Sequence, residues 1–278
     1  MTTPEKSLSA SHPLPGHRGE AGRPWQSLAS DYEAARSRAD SLDSLVEWPA
    51  QRAMLGDVSG LSILDLGCGN GGKLASLAQA GAAQCVGIDI SGEFVTEHLD
   101  SLELVSADFN SFDSLHEVEG RKFDRILFLQ SFGYAKDPVG ILRRARAVLN
   151  DDGFILLTRT QPLRYALERA EVNDTLVGDE YFASGEFTYA SGWNRDISMT
   201  KQRYTISNLL NTIAQAGLWI EAAEEPSLSD EQKRDFPEKH AWANKYLAGI
   251  LMFKLRPLTE VGGLCQSPMS GTSLGGVG

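Results

Sequence analysis

Residues 61–71 read LSILDLGCGNG, a short apolar run that passes through an acid into a glycine-rich turn. Leu61–Leu66 is apolar apart from Ser62 and Asp65, the pattern of a strand buried on both faces of a parallel sheet. Gly67, Gly69 and Gly71 follow, residues that let backbone pass close to a ligand where a Cβ would intrude. A helix starting near Lys73 is expected, its first turn presenting unpaired N–H groups to a polar ligand.

Working outward, strand and helix patterns alternate. A helical segment is expected over 26–57, broken near Trp48-Pro49, where proline suits a first helical turn. After strand 61–66 come a helix over 72–80 and strands at Cys85–Ile90, Leu102–Val105 and Phe123–Leu129. Helix 138–149 and strand Phe154–Thr158 follow, separated by an Asp151-Asp152-Gly153 turn. Alternation of this kind predicts an α/β fold: a parallel sheet with helices on both faces. Residues 160–204 differ, with Tyr165, Tyr181, Phe182, Phe187, Tyr189 and Trp193 set among polar residues without clean helical period. A helix over 206–216, capped by Gly217, leads to a strand at Leu218–Ala222. A last run, Gly249–Leu255, is expected to hairpin back as an edge strand. Residues 1–24 and 257–278 read as flexible leader and tail around a single domain at 25–256.

The 278 residues suffice for one sizeable core, and no apolar run is long enough to span a membrane. No secretory signal is evident, and three scattered cysteines suit neither a disulfide framework nor a metal site, so a cytoplasmic location is expected. The net charge of −11 argues against a nucleic-acid partner and makes a small, uncharged or cationic substrate the simpler expectation.

Gly67-x-Gly69-x-x-Gly72 fits a dinucleotide fingerprint, so an NAD(P)-dependent oxidoreductase has to be weighed. Asp89, at the end of the second strand, can accept hydrogen bonds from both hydroxyls of a ribose in either kind of nucleoside cofactor. Two other acids discriminate. Asp65 is unhelpful beside a pyrophosphate but well placed for an ammonium or sulfonium cation. Asp108, after the third strand, can accept from an exocyclic adenine amine, with Phe109 offering the ring an apolar face.

DLGCGNG, GIDIS at 87–91, ADF at 107–109, FDRILFLQSFGYAKDP at 123–138 and VLNDDGFILLT at 148–158, in this order, resemble the class I S-adenosylmethionine-dependent methyltransferases of small molecules. The resemblance implies a Rossmann-like three-layer sandwich with a seven-stranded, mostly parallel sheet whose last strand is antiparallel. A helical amino-terminal segment and a cap inserted after strand five, over 160–204, complete the expected domain. It also implies S-adenosyl-L-methionine as cofactor and S-adenosyl-L-homocysteine as product. Asp65, Gly67, Cys68 and Gly69 would contact the methionine part, Asp89 and Ile90 the ribose and adenine edge, and Asp108 with Phe109 the base. Gln130 would lie where cofactor and acceptor meet, and Tyr32 resembles an aromatic that closes over the cofactor.

The implied reaction is an in-line displacement at the sulfonium methyl, in which alignment provides most of the acceleration. Related small-molecule enzymes often carry histidines after the fifth strand and before the next helix. Here Gln161-Pro162 and Arg203-Tyr204-Thr205 stand in those places, and His98, His116 and His240 lie away from the motifs. Gln161 and Tyr204 are therefore the candidates for orienting the acceptor, with Glu180, Asp196 and Tyr189 behind them. No metal is expected. The methyl would go to an O, N or C atom of a small biosynthetic molecule, and a second copy of the chain is an allowed partner. A non-catalytic protein that binds the same cofactor for regulation is the remaining alternative.

Overall fold

β1 (Ser62–Leu66) lies inside the sheet, flanked by a strand on each side, in keeping with its burial. The computed structural model describes residues 22–95, 98–114, 116, 118–247 and 249–258. β2 (Gln84–Asp89) and β3 (Leu102–Ser106) extend the sheet on one side of β1, all parallel. On the other side come β4 (Phe123–Leu129) and β5 (Leu149–Thr160), also parallel, then two antiparallel strands, β9 (Ile250–Pro257) and β8 (Leu218–Glu224). The order is β3-β2-β1-β4-β5-β9-β8, a seven-stranded sheet as expected. The chain reverses its direction of winding between β1 and β4. In open α/β sheets, ligands bind outside the carboxyl ends of the strands at such a point.

Period-2 alternation along β5 divides the core. Ile155 and Leu157 join the face covered by α4 (Pro138–Ala147) and α7 (Ile206–Gln215), through Ile141, Leu142, Leu209 and Ile213. Phe154 and Leu156 face Leu55 of α2 (Trp48–Leu55) and Leu74 and Leu77 of α3 (Gly72–Gln79).

Three expectations change. The run at 249–255 is not an edge strand: β9 sits between β5 and β8, and Ile250–Phe253 are all buried. A continuous apolar run is what a two-sided burial demands, whereas β8 alternates and leaves Trp219 exposed at the edge. The amino-terminal break falls at 37–42, after α1 (Gly22–Arg36), not at Trp48-Pro49. A π-helical turn, Asp43–Glu47, runs straight into α2. Pro49 has no N–H for the carbonyl of Leu45, and the side chain of Gln232 donates to that carbonyl instead at 2.8 Å. The segment 160–204 is ordered into α5 (Pro162–Asn173), α6 (Val177–Phe182) and a hairpin of β6 (Glu186–Ala190) and β7 (Ser198–Gln202). α5 escapes the periodicity reading because its buried stripe is Pro162, Ala166 and Ala170, with Glu168 buried beside them.

Helices α8 (Asp230–Asp235) and α9 (Pro237–Tyr246) link β8 to β9. The expected leader 1–24 lies outside the described residues except where α1 begins at Gly22. The expected tail 257–278 does too, apart from Pro257 and Leu258. No helix among the described residues is long and apolar enough to cross a membrane.

Candidate active site

At the switch point the turn after β1 and the turn after β4 touch. The Ser131 hydroxyl donates to the carbonyl of Leu66, and the N–H groups of Gly67 and Cys68 both donate to Ile88 of β2. Gly67 adopts φ +83°, and a Cβ there would overlap the Cβ of Ser131. Gly69, at φ +60°, would bring a Cβ to 3.4 Å from Glu33 Oε1. The expected helix end is less open than the sequence implied. Gly72 N–H donates to Asn70 Oδ1 at 2.8 Å and Gly71 N–H to the Cys68 carbonyl at 3.1 Å, so the loop satisfies its own first donors.

Carboxylates surround this turn. Asp65 is 2 % exposed, and its Oδ1 has no hydrogen-bond partner among the described residues. Burial pushes its carboxyl up from the ordinary 3.8 to about 7, against the pull of Lys73. Asp89 holds the turn itself: Oδ2 accepts from Gly69 N–H at 2.9 Å, while Oδ1 accepts from the Ser91 N–H and hydroxyl at 2.9 and 2.7 Å. One lone pair of Oδ2 is left for a ribose hydroxyl. Ile90 follows, half-buried, at the strand's end. Asp108 Oδ1 accepts twice from Asn110, and its Oδ2 meets Lys136 Nζ at 3.5 Å. Phe109 does not stand free as a platform. It is 8 % exposed and packs edge-on against Phe128 in the core, with one ring edge toward Gly67. Burial raises the Cys68 thiol well above its ordinary range, which suits a small spacer.

Sequence reasoning missed a charged network from α1 and the π-helical turn. Arg36 pairs with Asp43 and, at 3.0 Å, with the buried Glu47. Lys73 Nζ reaches Asp43 at 2.7 Å and Gln51 Oε1 at 3.2 Å. Burial alone would raise the Glu47 carboxyl, but Arg36 and Lys73 bring it below its ordinary value. The spacings Glu33/Arg36 and Asp43/Glu47 put each pair on one helix face, a signal any solvated helix also gives. Tyr32 lies in α1 as expected, between the rings of Trp25 and Trp193 at 5.4 and 4.8 Å, with Arg36 over its face.

Gln130 is the node of the site. It has φ +67°, rare for a residue with a Cβ, and strain of this kind concentrates at functional positions. Its Nε2 donates to Glu47 at 3.2 Å and its Oε1 accepts from Thr160 at 3.3 Å. Thr160 lies beside the hydroxyl of Tyr165, which accepts from Lys201 Nζ at 3.2 Å. Lys201 stands among Tyr134, Tyr165 and Tyr189, 5.1 to 5.7 Å from their ring centres. Burial would lower its ammonium, but the three hydroxyls leave it raised well above its ordinary value. Burial would raise the Tyr165 hydroxyl, and Lys201 brings it below its ordinary value.

Of the acceptor candidates, Gln161 is buried at the start of α5, where its Oε1 caps the helix by accepting from Arg164 N–H at 3.0 Å. Tyr204 packs on Phe132 with the Arg159 guanidinium 4.2 Å from its ring centre; its hydroxyl has no partner among the described residues, and burial pushes it up to about 12. Tyr189 belongs to the Lys201 cluster, and Glu180 is taken up by Arg169 and Arg203. Asp196 lies exposed in the hairpin turn.

The donor set fits S-adenosylmethionine. An unpartnered buried carboxylate oxygen beside a glycine turn suits a cation, and Asp65, Asp89 and Glu33 together would repel the pyrophosphate of a dinucleotide. A family model described as a methyltransferase domain matches residues 33–218. A protein of uncharacterized function from Haemophilus influenzae is 26% identical over 215 residues, covering 72% of this chain and 84% of that one. The ubiquinone biosynthesis O-methyltransferase of Xanthomonas euvesicatoria is 31% identical over 133 residues, 46% of this chain and about half of that enzyme, 52%. The crystal structure of an S-adenosylmethionine-dependent methyltransferase from Mesorhizobium loti superposes with a TM-score of 0.61 at 25% identity, covering 76% of this chain and 97% of that one.

Proposed function

Since the chain belongs to the class I S-adenosylmethionine-dependent methyltransferases, we propose that its acceptor is a small biosynthetic molecule, methylated at an O, N or C atom. The carrying observation is the unpartnered Oδ1 of Asp65, buried beside Gly67 and within reach of Lys73's field. S-adenosylmethionine, when bound, supplies an electrophilic methyl on a cationic sulfur, and the leaving thioether needs no proton. The chain's own residues bind and align. Asp65, Gly67, Cys68 and Gly69 would hold the methionine part, Asp89 and Ile90 the ribose, and Asp108 the adenine amine, with Phe109 backing the pocket from the core. Gln130 and Tyr32 would face the junction with the acceptor.

The acid-rich chain supports a small acceptor over a nucleic acid, as does the similarity to an enzyme named for ubiquinone biosynthesis. Gln161 and Tyr204 would orient the acceptor through the groups their packing leaves: the amide nitrogen of Gln161 and the unpartnered hydroxyl of Tyr204. An acceptor that attacks with its proton still attached needs a base. The Tyr165 hydroxyl, which accepts from Lys201 and is held below its ordinary value by it, would serve as that base.

Calorimetry with S-adenosylhomocysteine tests the reading. The expected result is saturable one-to-one binding, weakened roughly tenfold or more by Asp65→Ala through loss of a charge-assisted contact. A screen for labelled methyl transfer then identifies the acceptor. Failure of the wild-type chain to bind S-adenosylhomocysteine or S-adenosylmethionine would overturn it.

A further inference from the structure

A cavity under the β6–β7 hairpin is walled by Arg159 from β5, Tyr165 and Arg169 from α5, Glu180 from α6, and Arg203 and Tyr204 from the end of β7. Its charge does not balance. Arg169 Nε binds Glu180 Oε2 at 2.6 Å, and Arg203 Nη1 meets the same oxygen at 3.4 Å. Glu180 Oε1 is also occupied, accepting from Asn173 at 2.8 Å and Thr175 at 3.2 Å. Arg159 pairs with no carboxylate among the described residues. It is 6 % exposed, its guanidinium lies over the Tyr204 ring, its Nε donates to the carbonyl of Thr160 at 3.4 Å, and its Nη1 has no hydrogen-bond partner among the described residues. Two guanidinium groups therefore share the one carboxylate that lines the cavity and the third is left over, and guanidinium stays charged even where burial disfavours it. A buried, unpaired charge is among the most costly features a fold can carry unless a ligand completes it. The neighbouring Tyr204 hydroxyl is likewise without a partner.

The cavity also has an address. Tyr165 lines it while its hydroxyl lies beside Thr160, which donates to Gln130 at the end of β4. One wall of this pocket thus adjoins the junction where the methyl acceptor is expected. Phe187, between Arg169 and Arg203 at 4.8 and 5.2 Å, gives it an aromatic floor. The negative charge of the whole chain does not describe this pocket.

We propose that this cavity is the subsite for an oxyanion of the methyl acceptor, a carboxylate or phosphate carried on a flat apolar body and held by Arg159 with Arg203. The inference rests on the methyltransferase reading for its role but not for its binding test. The probes are benzoate, phenyl phosphate and the uncharged benzamide, titrated into the full chain saturated with S-adenosylhomocysteine. Saturable binding of benzoate or phenyl phosphate, with benzamide at least tenfold weaker, is expected; the tighter of the two anions names the source. Arg159→Met should weaken the bound anion roughly tenfold or more while leaving S-adenosylhomocysteine affinity unchanged. Should Arg159→Met not fold, Arg203→Gln, nearer the surface, is expected to weaken the anion severalfold. Benzamide binding as well as the anions, or equal anion binding in wild type and the folded variant, would sink the subsite. Loss of S-adenosylhomocysteine binding in the wild type would instead strike the methyltransferase reading, since the anion titration can be repeated without it.

Discussion

Asp65 shows how far a single residue could be read. Its place at the end of a buried strand was legible, because an acid inside an apolar run has few reasons to be there. That one of its oxygens is left without a partner was not, since this depends on where Lys73 and Asp89 come to rest. The consequence is a pH dependence whose sign can be worked out. The folded chain holds this carboxyl at about 7 against an ordinary 3.8, so between those values the folded state binds the proton and the unfolded state does not. Its contribution to stability is therefore greatest below about pH 4, falls as pH rises toward 7, and stays low above it, a difference on the order of a few kcal/mol. In urea denaturation of the ligand-free protein, Asp65→Asn should remove this fall and be the more stable protein at pH 8. Identical pH trends for the two proteins would show that the carboxyl is not strained. Lys201 and Arg159 make the complementary point. Nothing in KQRYT at 201–205 or TRT at 158–160 distinguishes them from surface cations. Only the tyrosines and the hairpin folded over them do.

Among the elements, β1 to β4 were legible because each is a short apolar run closed by a turn, and their parallel order followed from the alternation; β5 was legible only over 154–158, since the strand starts at Leu149 and carries the expected 151–153 turn within it. β9 was misread as an edge because a sequence gives a strand's burial but not its neighbours. The π-helical turn was invisible for a similar reason, since the donor that lets Leu45's carbonyl go without Pro49 comes from Gln232, far along the chain. The β1 and β4 turns depend on each other in a way that can be tested at Gly67. An added Cβ would overlap Ser131 and would have to adopt φ +83°, so the two loops must separate. Gly67→Ala is expected to cost about 2–4 kcal/mol in denaturant unfolding, from steric strain and the unfavourable dihedral together. It should also abolish measurable S-adenosylhomocysteine binding in the fraction that folds. A variant with wild-type stability and affinity would mean that the turn is not in close contact with β4.

At the scale of the whole molecule, the glycine-turn side and the hairpin side are joined twice. One connection is polar, running from Lys201 through Tyr165, Thr160, Gln130 and Glu47 to Arg36. The other is aromatic, with Trp25 against both Tyr134 and Tyr32, and Tyr32 against Trp193 in the hairpin turn. Asn194 adds a hydrogen bond to Asp31 at 3.3 Å. α1 is thus clasped between the glycine turn, which it meets through Glu33, and the hairpin that covers the arginine-lined cavity. Ligand binding that stabilises one partner of such a contact should stabilise the other through their shared free energy. Removing residues 178–194 would test this too coarsely, because it takes away Glu180 and leaves β7 without its partner strand. Trp193→Ala is sharper, since the ring is 39 % exposed and its loss spares both the core and the cofactor turn. In hydrogen exchange, S-adenosylhomocysteine should slow the amides of 22–36 and of 186–202 together in the wild-type chain. In Trp193→Ala the slowing of 22–36 should persist while that of 186–202 is lost. A hairpin that exchanges at the same rate with and without S-adenosylhomocysteine in the wild type would show that the two halves of the site bind independently.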